Sequence, residues 1–174
     1  KIRLFFSENN GKNIFYNENK IKKYSEIIGL IPVVLLSLDD LDITYGNPAK
    51  RRQFIDILLS QINPLYLQSL QQYKKGLLHR NQVLKNIKEE LAVKEELYPW
   101  DMQIIESGSF IIRSRYAFVE FLNERLSKYY DNISDNEENI NTIYRSNVIE
   151  NIEDVEIPAI KEAFQSSLNK SQEK

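Results

Sequence analysis

Two Asn-Pro pairs, at positions 47–48 and 63–64, constrain the fold of this chain more than any other feature. Asparagine is favoured as the cap of a helix N-terminus, and proline is favoured in the first turn because the amide hydrogen it lacks would be unpaired there. Each pair therefore predicts a helix start, with the first helix running to about Asn63 and the second to about Glu90. Apolar residues recur at helical spacing in both segments. They are Phe54, Ile55, Leu58, Leu59 and Ile62, then Leu67, Leu70, Tyr73, Leu77, Leu84 and Ile87.

Two further helices are predicted later in the chain. Pro99-Trp100 begins a long one that runs to about Tyr130, and Ile157-Pro158 begins the last one. Three consecutive amphipathic helices with short connections favour a compact bundle. Gly108 interrupts the long helix, where glycine costs about 1 kcal/mol relative to alanine. We therefore expect Gly108 to allow the close approach of another backbone.

The N-terminal part of the chain is predicted to be β-structure. Ile2–Phe6 and Asn13–Tyr16 flank a turn-rich segment, which indicates a hairpin. Pro32–Leu36 is an unbroken apolar run, typical of a strand buried on both faces, and Ile140–Tyr144 is a candidate strand. A hairpin and one buried strand are too little for a sheet that stands alone. Since the chain also opens at Lys1, within a strand pattern, we expect it to be an internal segment of a longer protein.

Residue usage excludes several kinds of catalytic site within the chain. There are no cysteines, which removes disulfides, thiolate metal sites and cysteine nucleophiles. His79 is the single histidine, so a serine–histidine or multi-histidine site cannot form; we expect it to be solvated on a polar helix face. The chain has no glycine-rich phosphate loop with its lysine and no G-x-S-x-G elbow. We therefore predict no catalytic, cofactor-binding or metal-binding residue.

The acidic cluster of Asp39, Asp40 and Asp42 leaves two interpretations open. Acidic residues at a helix start are favoured by the helix dipole, so the cluster can be purely structural. It could also contribute to a magnesium or water site that residues outside this chain complete.

Hydropathy predicts a cytosolic protein. No apolar run approaches the roughly 20 residues that span a bilayer, and the short first apolar stretch does not resemble a signal peptide.

Charge is segregated along the chain although its formal net value is only −2. Between Lys50 and Lys88 the single acid is Asp56, whereas acids dominate from Asp131 onward. A basic centre beside an acidic segment suggests that a polyanion or an acidic partner meets the centre. The alternative is that these charges are only the solvated faces of amphipathic helices.

A set of short motifs follows one another in order between Pro32 and about Leu126. They are Asp40-Leu41, Gly46-x-Pro48-x-x-Arg51-Arg52-x-Phe54-Ile55-Asp56, Gln61, Pro64, Tyr66, Tyr73-x-x-x-Leu77, Arg80-Asn81, Leu84-Lys85, Trp100-Asp101, Gly108, Ile111-Ile112, Arg115 and Phe118. Together these motifs resemble the RecF family, bacterial recombinational-repair ATPases related to the heads of SMC and Rad50 proteins. Leu38 stands where that family usually has proline.

The resemblance implies a mainly α, α+β fold. An arm of antiparallel helices (38–174, the second lobe) would attach to a hairpin and strand at the edge of an ABC-ATPase-type head (1–37, the first lobe). The phosphate-binding loop would precede Lys1 and the signature and Walker B motifs would follow Lys174, so the parent protein would bind ATP and magnesium and this segment would be non-catalytic.

The resemblance also implies partners and a pathway. A RecF-like parent would bind double-stranded or gapped DNA, form an ATP-dependent homodimer, and load RecA together with RecO and RecR during DNA repair and the SOS response.

Six cations are the candidates for contact with DNA or a partner: Lys50, Arg51, Arg52, Lys74, Lys75 and Arg80. Clustered cations release counterions when they meet phosphates. In the alternative interpretation, the three arginines form inter-helix salt bridges with Asp56 or Asp101, which leaves Lys74 and Lys75 as the better contact candidates. A different class of function is a pure protein-interaction module that never touches nucleic acid, and the acidic segment from Asp131 suits that class.

Overall fold

The computed structural model describes residues 1–7, 11–35, 37–134, 140–149 and 156–172. The chain forms two compact units, Lys1–Leu67 and Gln68–Lys174. Helices dominate and a small antiparallel sheet accompanies them, so the predicted α+β, mainly α class is confirmed. The predicted lobe boundary between 37 and 38 does not coincide with this division and stays a prediction.

The first unit begins with the predicted hairpin. Strand β1 (Ile2–Ser7) pairs antiparallel with β2 (Gly11–Tyr16), and the short β3 (Asn19–Lys20) pairs with the other edge of β2. Asn17 and Glu18 both have positive φ angles, as the tight turn between β2 and β3 requires.

The predicted buried strand at Pro32–Leu36 is wrong for the residues that the structure describes. Residues 32–35 belong to no strand, and the Val34 side chain is 81% exposed; Leu36 lies outside the described residues. The Gln61 side chain takes the place of a strand partner. Its Oε1 accepts from the Val33 amide at 2.7 Å, and its Nε2 donates to the Val33 carbonyl at 3.1 Å. An apolar run predicts burial, but a strand also needs a backbone to pair with.

The helix starts of the first unit follow the Asn-Pro pairs. A 3₁₀ turn (Leu38–Leu41) leads into α1 (Asp42–Tyr45), and α2 then spans Pro48–Ile62. The Asn47 side chain accepts from the amides of Ala49 and Lys50 at 2.9 and 3.3 Å, which confirms it as the cap. Among the apolar residues of α2, Leu59 is buried, whereas Ile62, at the end of the helix, is exposed.

The second helix predicted from an Asn-Pro pair is α3, Pro64–Lys88. A 3₁₀ turn (Lys94–Leu97) follows it, and the long α4 (Tyr98–Ser134) and the final α5 (Ile157–Gln172) complete the helices. The apolar core of the second unit is Ile104, Ile105, Ile112, Ile160 and Phe164. Ile160 and Phe164 therefore join α5 to the core residues of α4.

Gly108 permits a close approach, but by rings rather than by another backbone. A Cβ atom at Gly108 would lie 2.5 Å from Phe164 Cζ and 2.9 Å from Tyr73 Cε2. The two rings pack edge to face with centroids 6.4 Å apart. The prediction of a close contact is right, and the predicted backbone partner is wrong.

The candidate strand at Ile140–Tyr144 is also wrong, since these residues form no strand. The Asn123 side chain holds the segment at Thr142: Oδ1 accepts from the Thr142 amide at 2.9 Å, and Nδ2 donates to the Thr142 carbonyl at 2.8 Å. A side-chain amide on a helix thus forms hydrogen bonds with the backbone N–H and C=O of this segment, as Gln61 does with Val33.

Among the helices in the described ranges, none combines the length and apolarity needed to cross a lipid bilayer.

Candidate nucleic-acid interface

In the first unit, two of the three candidate cations have local partners. Lys50 Nζ lies 3.3 Å from Asp42 Oδ2, with both side chains about half exposed. Arg51 Nη1 donates to the carbonyl of Gly46 at 3.0 Å, so its guanidinium caps the end of α1. Arg52 is exposed, and no partner for it is found in the described part of the chain.

Asp56 is engaged by a tyrosine. The hydroxyl of Tyr66, a fully buried side chain, donates to Asp56 Oδ1 at 2.5 Å. Arg51, one of the arginines for which Asp56 was a predicted partner, donates instead to backbone carbonyls. The sequence motif therefore brings Asp56 together with Tyr66 across the α2–α3 junction.

Arg80 is the candidate whose environment argues most strongly for a structural role. Its side chain is buried, with the residue 5% exposed, and Nε donates to Asp101 Oδ1 at 2.5 Å. Nη2 donates to Ser171 Oγ at 3.0 Å and to the Leu168 carbonyl at 3.4 Å. One side chain of α3 thus binds α4 and the last turn of α5, which favours the predicted alternative of an inter-helix ion pair with Asp101.

Lys74 and Lys75 are both exposed and lie on the solvent side of α3. Lys74 begins a row of exposed side chains spaced alternately by four and three residues, and Lys75 lies beside it. We call this row the basic stripe: Lys74, Leu78, Asn81, Lys85 and Lys88. Residues at this spacing share one helix face. The stripe is about 21 Å long at the α-helical rise of about 1.5 Å per residue.

Helix α3 contains no acidic residue over its whole length. The nearest acid to follow is Glu89, whose Oε1 lies 3.8 Å from Lys85 Nζ. Lys74, Lys75 and Lys88 have no acidic partner among the residues that the structure describes. The solvent face of α3 therefore presents positive charge that the second unit does not neutralise along the helix.

The environment of the single histidine differs from the one predicted. His79 is half-buried and stacks on Trp100, with ring centroids 4.3 Å apart and ring planes 14° apart. The prediction of a solvated side chain is wrong because Trp100 lies on a different helix, and a pattern read along α3 alone cannot place it.

The acidic cluster at the start of α1 is engaged locally. Asp40 Oδ2 accepts from the Ser37 amide at 2.6 Å and from its hydroxyl at 3.2 Å, while Asp42 pairs with Lys50. The Asp39 side chain lies outside the described residues. These contacts favour the helix-start interpretation over a metal site.

Comparison with known proteins identifies the family. The DNA replication and repair protein RecF of Agathobacter rectalis is 36% identical over 148 residues, which are 85% of this chain and 41% of that protein. RecF of Lachnoclostridium phytofermentans is 34% identical over 174 residues, which are 100% of this chain and 45% of that protein. The chain belongs to the RecF family.

Solved RecF structures have the same fold. The recombination mediator protein RecF of the RecFOR pathway superposes on this chain with a TM-score of 0.86 and 33% identity, covering 98% of this chain and 45% of that one. A second structure, of RecF with ATP, has the same TM-score at 34% identity. These matches confirm the predicted RecF resemblance and the ABC-ATPase-type fold assignment. No model of a protein family matches the chain.

The chain spans less than half the length of these RecF relatives. The six candidate cations remain predictions for contact with DNA.

Proposed function

We propose that this RecF-family chain is the non-catalytic helical part of a DNA replication and repair ATPase, and that α3 contributes cations to DNA binding. The names of its relatives support a role in DNA replication and repair. The observation that carries the DNA contact is the acid-free α3 with its exposed basic stripe. ATP and magnesium would be bound by the parent protein, which would dimerise on ATP in the cytosol.

The partners of the parent protein belong to the same proposal. RecO and RecR would act with it at gapped or double-stranded DNA to load RecA. The RecF protein of the matched structures is a recombination mediator of the RecFOR pathway, which supports these partners.

The physical argument for α3 rests on counterion release. Each lysine that neutralises a phosphate makes the slope of log affinity against log salt concentration steeper by about 0.9. Two such lysines therefore raise the affinity roughly 60-fold near 0.1 M salt. Lys74 and Lys75 suit this role because they are adjacent and exposed. Arg80 does not suit it, since reaching a phosphate would require breaking its buried bond to Asp101.

The second candidate is a protein-interaction module of an SMC-like protein without nucleic-acid contact. It is favoured by Leu78, which is 69% exposed within the basic stripe. An apolar side chain gains free energy when a protein partner covers it, whereas contact with a phosphate gives it no such gain.

The experiment is fluorescence anisotropy of a labelled gapped duplex titrated with the chain across a range of salt concentrations. The test variant is K74E/K75E. Its matched control is K22E/K23E, another adjacent and exposed lysine pair that changes the net charge equally. We expect the test variant to lose roughly 60-fold or more in affinity near 0.1 M salt and about 2 units of salt slope, and the control to bind nearly as wild type does.

Equal losses in both variants would show that only net charge matters and would overturn the assignment to α3. Absence of wild-type binding at low salt would favour the protein-interaction module.

A further inference from the structure

The segment that joins α3 to α4 has the opposite charge to the basic stripe. This acidic connection comprises residues 89–97 and carries Glu89, Glu90, Glu95 and Glu96 against one cation, Lys94. All five of these charged residues are exposed. The hairpin formed by α3, the connection and α4 therefore has a basic face along α3 and an acidic end at the connection.

Exposed apolar side chains lie within the acidic connection. Leu91 is 74% exposed and Val93 is 58% exposed, while Leu97 is buried and anchors the segment to its own unit. Apolar side chains framed by charges are typical of a protein-interaction surface. The surrounding glutamates disfavour phosphate groups and favour a partner whose apolar surface is surrounded by positive charges.

The basic stripe has the matching properties. Leu78 is flanked by Lys74 and Lys75 one turn before it and by Lys85 two turns after it. The stripe therefore offers one exposed apolar side chain among positive charges, and the connection offers two among negative charges. Complementary potentials of this kind steer two surfaces together and set their register.

We propose that the acidic connection of one copy docks on the basic stripe of a second copy. A symmetric pair with the two α3 helices antiparallel makes this contact twice, because each copy supplies one connection and one stripe. Lys85 would lie near the twofold axis, where its ion pair with Glu89 of its own chain reduces repulsion between the two copies. The apolar groups are few, so the interface belongs among the small, weak ones.

This contact goes beyond the proposed function: it is separate from the ATP-dependent dimer of the parent protein and uses the lysines proposed to contact DNA. A second copy and DNA would compete for Lys74 and Lys75, so DNA would dissociate the pair. The connection carries net negative charge and therefore repels phosphate, whereas the stripe attracts it.

Charge-swap complementation tests the contact by sedimentation velocity of the chain at high protein concentration and low salt. One variant is K74E/K75E. The other is E90K/E95K, which leaves intact the Glu96 side chain that caps the Val93 amide and the Glu89 that pairs with Lys85. In either homodimer both contacts would join like charges. In a mixed dimer one contact joins the two wild-type surfaces and the other joins the two swapped surfaces, so both contacts again join opposite charges.

We expect each variant alone to self-associate at least about tenfold more weakly than wild type, and an equimolar mixture to recover wild-type association. The K22E/K23E control should associate as wild type does. A monomeric wild type, a mixture no more associated than its components, or undiminished association of E90K/E95K would each overturn the proposal.

DNA binding of the same variants separates this inference from the proposed function. E90K/E95K should bind DNA at least as tightly as wild type, because it replaces acids near the stripe by cations, while it loses self-association. If the chain does not bind DNA but the mixed variants recover association, the DNA-binding proposal is wrong and this inference stands. If the chain binds DNA but the mixed variants do not recover association, this inference is wrong and the DNA-binding proposal stands.

Discussion

The buried ion pair between Arg80 and Asp101 permits a quantitative test of how the second unit is held together. The two side chains are 6% and 7% exposed. Removing one member of such a pair leaves the other charge buried without its ion-pair partner, which costs about 3–5 kcal/mol. Asp101→Asn keeps the shape and removes the charge, so we expect the free energy of unfolding to fall by about that amount.

Arg80→Met should be comparably destabilising, because it leaves the Asp101 carboxylate buried and also removes the bonds to Ser171 and to the Leu168 carbonyl. Those two bonds are worth about 1 kcal/mol each. The double variant should be less destabilised than the sum of the single losses, since it buries no uncompensated charge.

The assay is urea unfolding followed by tryptophan fluorescence. Trp100 is the only tryptophan of the chain and belongs to the second unit, so its signal reports on that unit. Additive losses in the double variant would refute the pairing. A fully stable Arg80→Met variant with reduced DNA binding would refute the structural assignment of Arg80 and restore it as a contact residue.

Two further predictions concern the packing around Gly108 and Tyr73. Gly108→Ala should lower the free energy of unfolding by about 1–3 kcal/mol, because the added methyl overlaps the rings of Phe164 and Tyr73; a more stable variant in the same urea assay would show that the rings move aside. Burial raises the pKa of Tyr73 above its usual 10.0, with the charge of Arg115 acting in the opposite direction. The neutral phenol is thus favoured in the folded state, so its contribution to stability is complete below about pH 10 and is lost as pH rises further. In urea unfolding between pH 8 and 11, the free energy of unfolding should fall less steeply with pH for Tyr73→Phe than for wild type. An identical pH dependence would contradict this reasoning.

The helix starts were predictable because capping is local. Asn47 and Pro48 are neighbours, and the bonds that the Asn47 side chain makes reach only two and three residues along the chain. The same holds for Asn63, whose Oδ1 accepts from the Leu65 amide at 3.0 Å. A pattern of a few residues therefore contains all the chemistry that begins α2 and α3.

The strand predictions at Pro32–Leu36 and Ile140–Tyr144 failed for the opposite reason. Strand pairing joins residues far apart in sequence, and apolar composition does not name the partner. In both segments a distant side-chain amide takes the backbone groups, Gln61 at Val33 and Asn123 at Thr142. Gln61 belongs to the RecF motif, which is the one signal by which its role could have been noticed in advance.

The sequence alone determined which charges exist on α3 and that no acid opposes them, because composition and helical spacing need no neighbour. It also carried the family resemblance. Only the tertiary structure decided which cations remain in water. Arg80 and Lys74 belong to the same helix, yet Arg80 faces Asp101 on α4 and Lys74 faces solvent. That difference depends on how α3, α4 and α5 pack, and packing is a property of the folded unit rather than of any single segment.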